Sequence, residues 1–291
     1  MQETFEFIDY RSYAPPKQQL LKWIGNKQRF ASLITKYFPK YFNTYLEPFL
    51  GSAAVLATVS PENGIGADSF KPLIDILLML KNDPNRLVEC YRERVERLKD
   101  EDKKDVYEDI KASFNRNHNG ADFLFLSRAC YGGVIRFRKR DGYMSTPVGI
   151  HTPIKAETFK SRVYEWTKRV QNTEFFNLDY KETFEKASYG DLVYCDPPYS
   201  HSQTILYGAQ AFNFNELIFE IDKAKSRGVK VALSIDGNKK SGSVDCEISL
   251  PKGLFEQEIF IDCGVSMLNR FQMTGKKLEN EKVSDRLLLT Y

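Results

Sequence analysis

The stretch DLVYCDPPYSHSQ, Asp191 to Gln203, sets an apolar run, Leu192 to Cys195, directly against an acid, two prolines and a tyrosine. A short apolar run bounded by turn residues reads as a buried strand, and an ordinary strand exit needs only a glycine, an asparagine or one proline. Here a carboxylate, a backbone with two fixed φ angles and an aromatic face stand side by side. The same grammar recurs outward. NTEFFNLDY (172–180), VKVALSID (229–236), the start of YLEPFLGSAAVLATVSP (45–61), GIGADS (64–69) and DRLLLTY (285–291) read as strands. Between them lie helical patterns: AAVLATVS ended by Pro61, the apolar KPLIDILLMLKN, and NELIFEIDKAKSR ended by Gly228.

Strands alternating with helices predict parallel βαβ units in a doubly wound, mostly parallel α/β sheet. Ligands of such sheets sit outside the carboxyl ends of the strands. Glu47–Gly51, Asp68, Asp179 and Asp196 all fall at such ends, so the site is expected on that rim. LKWIGNKQRFASLITKYFP, basic and aromatic, runs into a short helix that stops at Pro39. Residues 83–119 are highly charged at helical spacing and read as a solvated helical region without chemistry of its own.

The 291 residues can bury a large core, and a composition 42% hydrophobic and 28% charged is that of a folded chain. The net charge of +3 permits a nucleic-acid partner without requiring one, so local clustering must carry that case. Five cysteines, at 90, 130, 195, 246 and 263, lack CxxC spacing and read as free thiols; Cys195 alternates away from Asp196, towards the core. The N-terminus has no basic or apolar leader pattern and no apolar run reaches membrane length, so a cytoplasmic protein with no membrane partner is expected. His118, His151 and His201 are too scattered for a metal site.

The turn EPFLGSAAV offers a glycine for close backbone approach and helix N–H groups behind it. It is neither a GxGxxG turn nor a Walker loop, which counts against a nicotinamide oxidoreductase and a phosphate cradle. Asp68, ending the second strand, stands where nucleoside-binding α/β proteins place an acid for ribose hydroxyls; the competing reading is a helix cap before SFKPL. The DPPY string suits an exocyclic amine on a base, a poor nucleophile because its lone pair is delocalised. Asp196 and the carbonyl of Pro197 can each accept one of its N–H bonds, and Pro197 and Pro198 preorganise that geometry with φ held at about −65°. Tyr199 offers a face for stacking a flipped base.

These residues resemble those of the Dam-like (D12-class, alpha-type) DNA adenine-N6 methyltransferases, in which the donor motif precedes the target-recognition region and the DPPY motif. The likeness spans essentially the whole chain: LKWIGNK, EPFLGSAAV, GADSFKPLI, DFLFLSRACYGGVIRFRKRDGYMSTPVG and YCDPPY each have a counterpart. The resemblance implies S-adenosylmethionine held by Trp23, Lys27, Phe49, Gly51, Asp68, Asp179 and Asp196, with Asp179 on the adenine amine of the donor. It implies catalysis by Asp196, Pro197, Pro198 and Tyr199, in a catalytic domain of residues 1–80 and 160–291 with a helical and hairpin recognition domain, 81–159, inserted. Two departures are noted. Ala53 replaces the family's second glycine and is expected to crowd the donor slightly; Asn26 replaces a usual glycine and leaves the geometry around Lys27 open.

The segment from Arg128 to Gly149 interleaves Arg128, Arg136, Arg138, Lys139 and Arg140 with Tyr131, Phe137 and Tyr143. It reads as a basic β-hairpin turning at Asp141-Gly142, suited to a major groove, where arginine reads guanine and the other cations touch phosphates. Phe137 or Tyr131 could fill the stack left by a flipped adenine, or pack in the core. Tyr207, in the loop after the motif, could cover that base. The expected activity is methyl transfer to adenine N6 in a specific double-stranded DNA sequence by a monomer, with a cognate restriction endonuclease as a candidate functional partner. Rival acceptors are cytosine N4, RNA adenine and a glutamine amide, and a rival of another class is a non-catalytic DNA-binding relative. The acid at 196 favours adenine, and the intact Lys27, Asp68 and Tyr199 favour an enzyme.

Overall fold

The computed structural model describes residues 14–198, 212–236, 250–265 and 282–291. Five strands run parallel: β1 (Tyr45–Glu47), β2 (Gly64–Ala67), β3 (Thr173–Phe176), β4 (Leu192–Cys195) and β5 (Lys230–Asp236). Strand β7 (Lys282–Leu289) inserts antiparallel between β5 and β6 (Gln257–Val265), so the order is β3-β2-β1-β4-β5-β7-β6. The order reverses between β1 and β4. This is the switch point at which open α/β sheets leave a crevice for ligands.

Period-2 alternation divides the strands between two layers. Tyr45, Leu192, Tyr194, Ala232, Leu287 and Leu289 join one apolar cluster; Leu46, Val193, Cys195, Val231, Leu233 and Leu288 join the other. Cys195 is thus core, facing away from Asp196's side of the sheet. Cys90 and Cys130 are likewise buried free thiols. The first layer is covered by α1 (Ala31–Ile34), α2 (Ala54–Val59), α3 (Lys71–Asn82) and α7 (Ala156–Val170), the second by α8 (Tyr180–Glu185) and α9 (Phe214–Ser226).

The charged region folds as α4 (Pro84–Glu96), α5 (Lys103–Asn117) and α6 (Gly120–Ala129). Asp83, Asp102 and Asn119 start these helices by accepting the N–H of Arg86, Lys104 and Asp122, the side-chain capping that orphan first-turn donors require. It is more than a solvated face. Tyr91, Tyr107, Phe114 and Phe123 from these helices are fully buried in the same cluster as Tyr45 and Leu287 of the sheet. No helix among the described residues is long and apolar enough to cross a membrane.

Candidate active site

Glu47, Asp68, Asp179 and Asp196, at or just past the ends of β1, β2, β3 and β4, line one cavity of about 490 Å³. Trp23, Lys27, Phe49 and Gly51 line it too, so the structure brings together every residue assigned to the donor from sequence. The aromatic walls are fixed by packing. Trp23 stacks on Phe70 (6.1 Å between centroids) and meets Phe123 edge-on at 5.9 Å, while Phe49 stacks on Tyr180 at 5.2 Å.

The glycine turn after β1 is used as a close approach. Gly51 has φ +49°, and a Cβ there would lie 3.1 Å from Trp23 Nε1. Its N–H donates to Asp68 Oδ2 (2.9 Å), while Asp68 Oδ1 accepts from Phe70 N–H (2.8 Å). Asp68 therefore bridges two turns of the cavity wall and is not the cap of α3, whose N-cap is Phe70. Burial pushes its carboxyl upward, partly offset by those two N–H bonds. Asp179 caps α8 in a capping box with Glu182, accepting from Lys181 N–H at 3.0 Å.

Beneath the DPPY motif lies a buried charge cluster. Lys27 Nζ sits 3.2 Å from Asp196 Oδ1 and 2.9 Å from Asp285 Oδ2, with the lysine and Asp285 side chains only 8% and 9% exposed. Burial opposes the charge on Lys27, but Asp196 and Asp285 together outweigh it and hold the ammonium above its ordinary range. Glu47, nearby, accepts from the Tyr45 hydroxyl at 2.8 Å, and burial pushes its carboxyl well above the usual carboxylate range. Asp285 escaped the sequence reading. Its only sequence signal is an acid in a strand of leucines, on the face shared with Leu287 and Leu289.

Both departures in the motifs have a structural answer. Ala53 is fully buried, absent from the cavity wall, and held at φ 57°, ψ 26°. The expectation that it crowds the donor is corrected: its consequence is backbone strain, about 1–2 kcal/mol for a left-handed non-glycine residue. Asn26 has φ −53°, so no glycine is needed; its side chain accepts from Gln28 N–H (2.8 Å) and caps the turn that carries Lys27.

Pro198 lines the cavity and Pro197 is buried beside it; Tyr199 and Tyr207 lie outside the described residues. The basic segment is less regular than a ladder hairpin. Phe137–Met144 and Cys130–Val148 pair only as isolated bridges, and Thr146 pins the inner arm by accepting from Arg136 N–H (2.8 Å) and donating to the Val134 carbonyl (3.1 Å). Arg136 and Lys139 are exposed; Arg138 lies over the Tyr143 ring at 4.1 Å and, like Arg140, pairs with Asp141. Tyr131 is 47% exposed, whereas Phe137 packs edge-on against Phe70 (5.5 Å) and, with Gly142 and His118, reaches the cavity. Arg128 stands apart from the exposed cations of this segment. It is half-buried on α6, donates to the carbonyls of Gln19 (2.7 Å) and Leu20 (3.1 Å), and loss of solvent around its guanidinium lowers it to about 10.

Comparison with known proteins agrees with this geometry. Over 233 residues the chain is 28% identical to a DNA adenine methylase of Vibrio cholerae serotype O1, covering 75% of this chain and 81% of the relative. It is 28% identical over 240 residues to the type II methyltransferase M.MjaIII of Methanocaldococcus jannaschii, covering 74% and 82%. A DNA adenine methylase of Escherichia coli (strain K12) is 28% identical over 184 residues, 62% of this chain and 64% of that one. The family model for D12 class N6 adenine-specific DNA methyltransferases matches residues 23–257, spanning the donor turn, the basic segment and the DPPY motif, and the chain belongs to that family.

Proposed function

We propose that this enzyme takes its methyl group from S-adenosylmethionine and delivers it to N6 of an adenine turned out of a specific double-stranded DNA sequence. The observation that carries the reading is the position of Asp196. It stands at the switch-point crevice, on the same cavity that the recognition segment reaches through Phe137 and Gly142.

The cavity fits such a donor. Its volume lies within the roughly 300–1,000 Å³ of small-molecule sites, its walls are aromatic, and Gly51 opens a cradle that a Cβ would fill. Trp23, Phe49, Gly51, Asp68 and Asp179 are the binding residues, and Lys27 orients Asp196. Bound S-adenosylmethionine supplies an electrophilic methyl on a positively charged sulfur. The chain supplies the rest. The Asp196 carboxylate and the Pro197 carbonyl accept the two N–H bonds of the target amine, leaving its lone pair to attack, and the proline backbone holds those acceptors without reorganisation. The aromatic walls exclude water. Stacking of the flipped base on Tyr199 completes the pocket in this reading.

Residues 81–159 serve as the recognition region, inserted in a catalytic domain of residues 1–80 and 160–291. Arg136 and Lys139 have no side-chain partner among the described residues, which suits them to reading a base or holding a phosphate; Arg138, Arg140, Tyr143 and Tyr131 flank them. Action as a monomer in the cytoplasm, with a cognate restriction endonuclease as the functional partner to test for, completes the reading. The test is to incubate the purified chain with methyl-labelled S-adenosylmethionine and duplex DNA, then identify the labelled nucleoside and map its sequence context. Label in N6-methyladenine at one recurrent site is expected. Label in N4-methylcytosine, in RNA only, or nowhere would refute the proposal.

A further inference from the structure

Two arginines from different helices meet on one backbone oxygen. Arg128 Nη2, from α6, and Arg162 Nη1, from α7, donate to the Gln19 carbonyl at 2.7 and 2.9 Å. Carbonyls satisfy N–H groups but leave the charge on the guanidiniums, and among the described residues neither arginine pairs with a carboxylate. Arg162 commits only Nη1 there, and its buried Nε has no partner. Three residues along the same segment as Gln19, Lys22 adds a third cation. Its stem runs along Gly133, where an added Cβ would stand 3.6 Å from Lys22 Cβ and 3.9 Å from its Cδ. Lys22 makes no side-chain hydrogen bond or ion pair among the described residues, and loss of solvent, then the like charges of Arg128 and Arg162, lower its ammonium. Like charges gathered away from water are costly until a counter-charge arrives.

We propose that Lys22, Arg128 and Arg162 form a phosphate site that holds the backbone of bound DNA beside the recognition segment. The inference rests on the reading above that the chain acts on duplex DNA. Position selects that source of phosphate. Lys22 directly precedes Trp23 of the cavity wall, Gly133 belongs to the short turn Tyr131–Gly133 that opens the recognition segment, and Arg128 lies in the last turn of α6 just before it. The site therefore lies where the cavity wall and the recognition segment meet, a place open to the strand whose base enters the cavity. A phosphate there takes charge-assisted N–H bonds from Lys22 Nζ and from the uncommitted nitrogens of Arg162. Arg128, anchored on the Gln19 and Leu20 carbonyls, adds its charge from behind. Contacts of this kind fix register and carry no sequence information, which leaves base reading to the exposed cations beyond Phe137 and beside it.

The test is equilibrium binding of the full chain, over a range of salt, to a duplex carrying its mapped site and to an unrelated duplex. Lys22→Met keeps the stem along Gly133 and removes the charge. It should weaken both duplexes by the same factor, about three- to tenfold, and lower the slope of log affinity against log salt by about 0.9, the share of one phosphate contact. Arg162→Met should act in the same direction, and Arg162→Lys should recover most of the slope. If the Arg162 variants do not fold, Lys22→Met decides alone, because Lys22 anchors no other group. An unchanged slope, or a loss confined to the duplex carrying the site, would overturn the inference. So would inorganic phosphate that binds the DNA-free wild type and not Lys22→Met while the DNA slope stays the same, since the site would then take a free anion. If the wild-type chain binds neither duplex, the DNA reading itself falls and takes this inference with it.

Discussion

Replacing Lys27 with methionine removes a cation shared by the buried Asp285 and the partly buried Asp196. At an effective dielectric of about 20, an opposite unit charge at about 3 Å contributes about 5–6 kcal/mol of attraction before desolvation is counted. Burying the ammonium cancels a good part of that, and breaking buried ion pairs of this kind costs about 3–5 kcal/mol net. Asp196 and Asp285, at 3.2 and 2.9 Å from Nζ, would then lose the cation that lies between them. Glu47 faces Asp196 and Tyr194 faces Lys27, and neither can replace the lost cation. The sign of the pH dependence follows. In the wild type the raised Lys27 contributes stability that is fully present below its unfolded value, and it is lost only as pH rises through the folded one. In the variant the two carboxylates repel each other across the space the ammonium filled, a cost that protonation relieves, so the variant loses stability as pH rises. Urea denaturation of both proteins at about pH 8 and about pH 5.5 should show a deficit of about 3–5 kcal/mol at the higher pH and a smaller one at the lower. A deficit below about 1 kcal/mol at pH 8, or one independent of pH, would refute the charge cluster as described.

Three further outcomes follow from side-chain positions. Arg136→Ala should lower DNA affinity or relax site preference by about 1–3 kcal/mol in a filter-binding competition; unchanged binding and preference would assign Arg136 to the solvated surface. Arg128→Ala should instead lower folding stability by about 1–3 kcal/mol by orphaning the Leu20 carbonyl and leaving that of Gln19 to Arg162 alone, with site preference intact. A loss of DNA preference without a loss of stability would contradict its burial. Gly51→Ala forces a left-handed alanine against Trp23 and should cost about 1 kcal/mol of stability net of the stiffer unfolded chain. It should also weaken donor binding, read from the fluorescence of Trp23, and an unperturbed titration would show that the close approach is not used.

The parallel strands and their acid-bearing ends were legible because each carries a compact apolar run closed by a turn residue. Four such ends pointed to one rim, and the cavity lies there. The edge strand β6 went unread because Phe260, a large apolar residue, is 60% exposed beside the buried Ile261, which breaks the alternation that made the other edge, β3, legible. Asp285 was invisible for a topological reason, since its meeting with Lys27 depends on β7 inserting between β5 and β6. Arg128 looked like its basic neighbours, yet it belongs to the last turn of α6, where helix orientation, which a charge count does not encode, turns it inward. Ala53 shows the converse. The motif identified the position correctly, but whether its Cβ met the donor or the core depended on a backbone φ that only the fold supplies.

The most direct measurement is single-turnover methyl transfer to duplex DNA by Asp196→Ala, with folding checked by its urea midpoint and donor binding checked by calorimetry. If the carboxylate at the end of β4 draws the amine towards the methyl group, the variant folds and its transfer is abolished. Transfer at the wild-type rate would contradict the account at its centre.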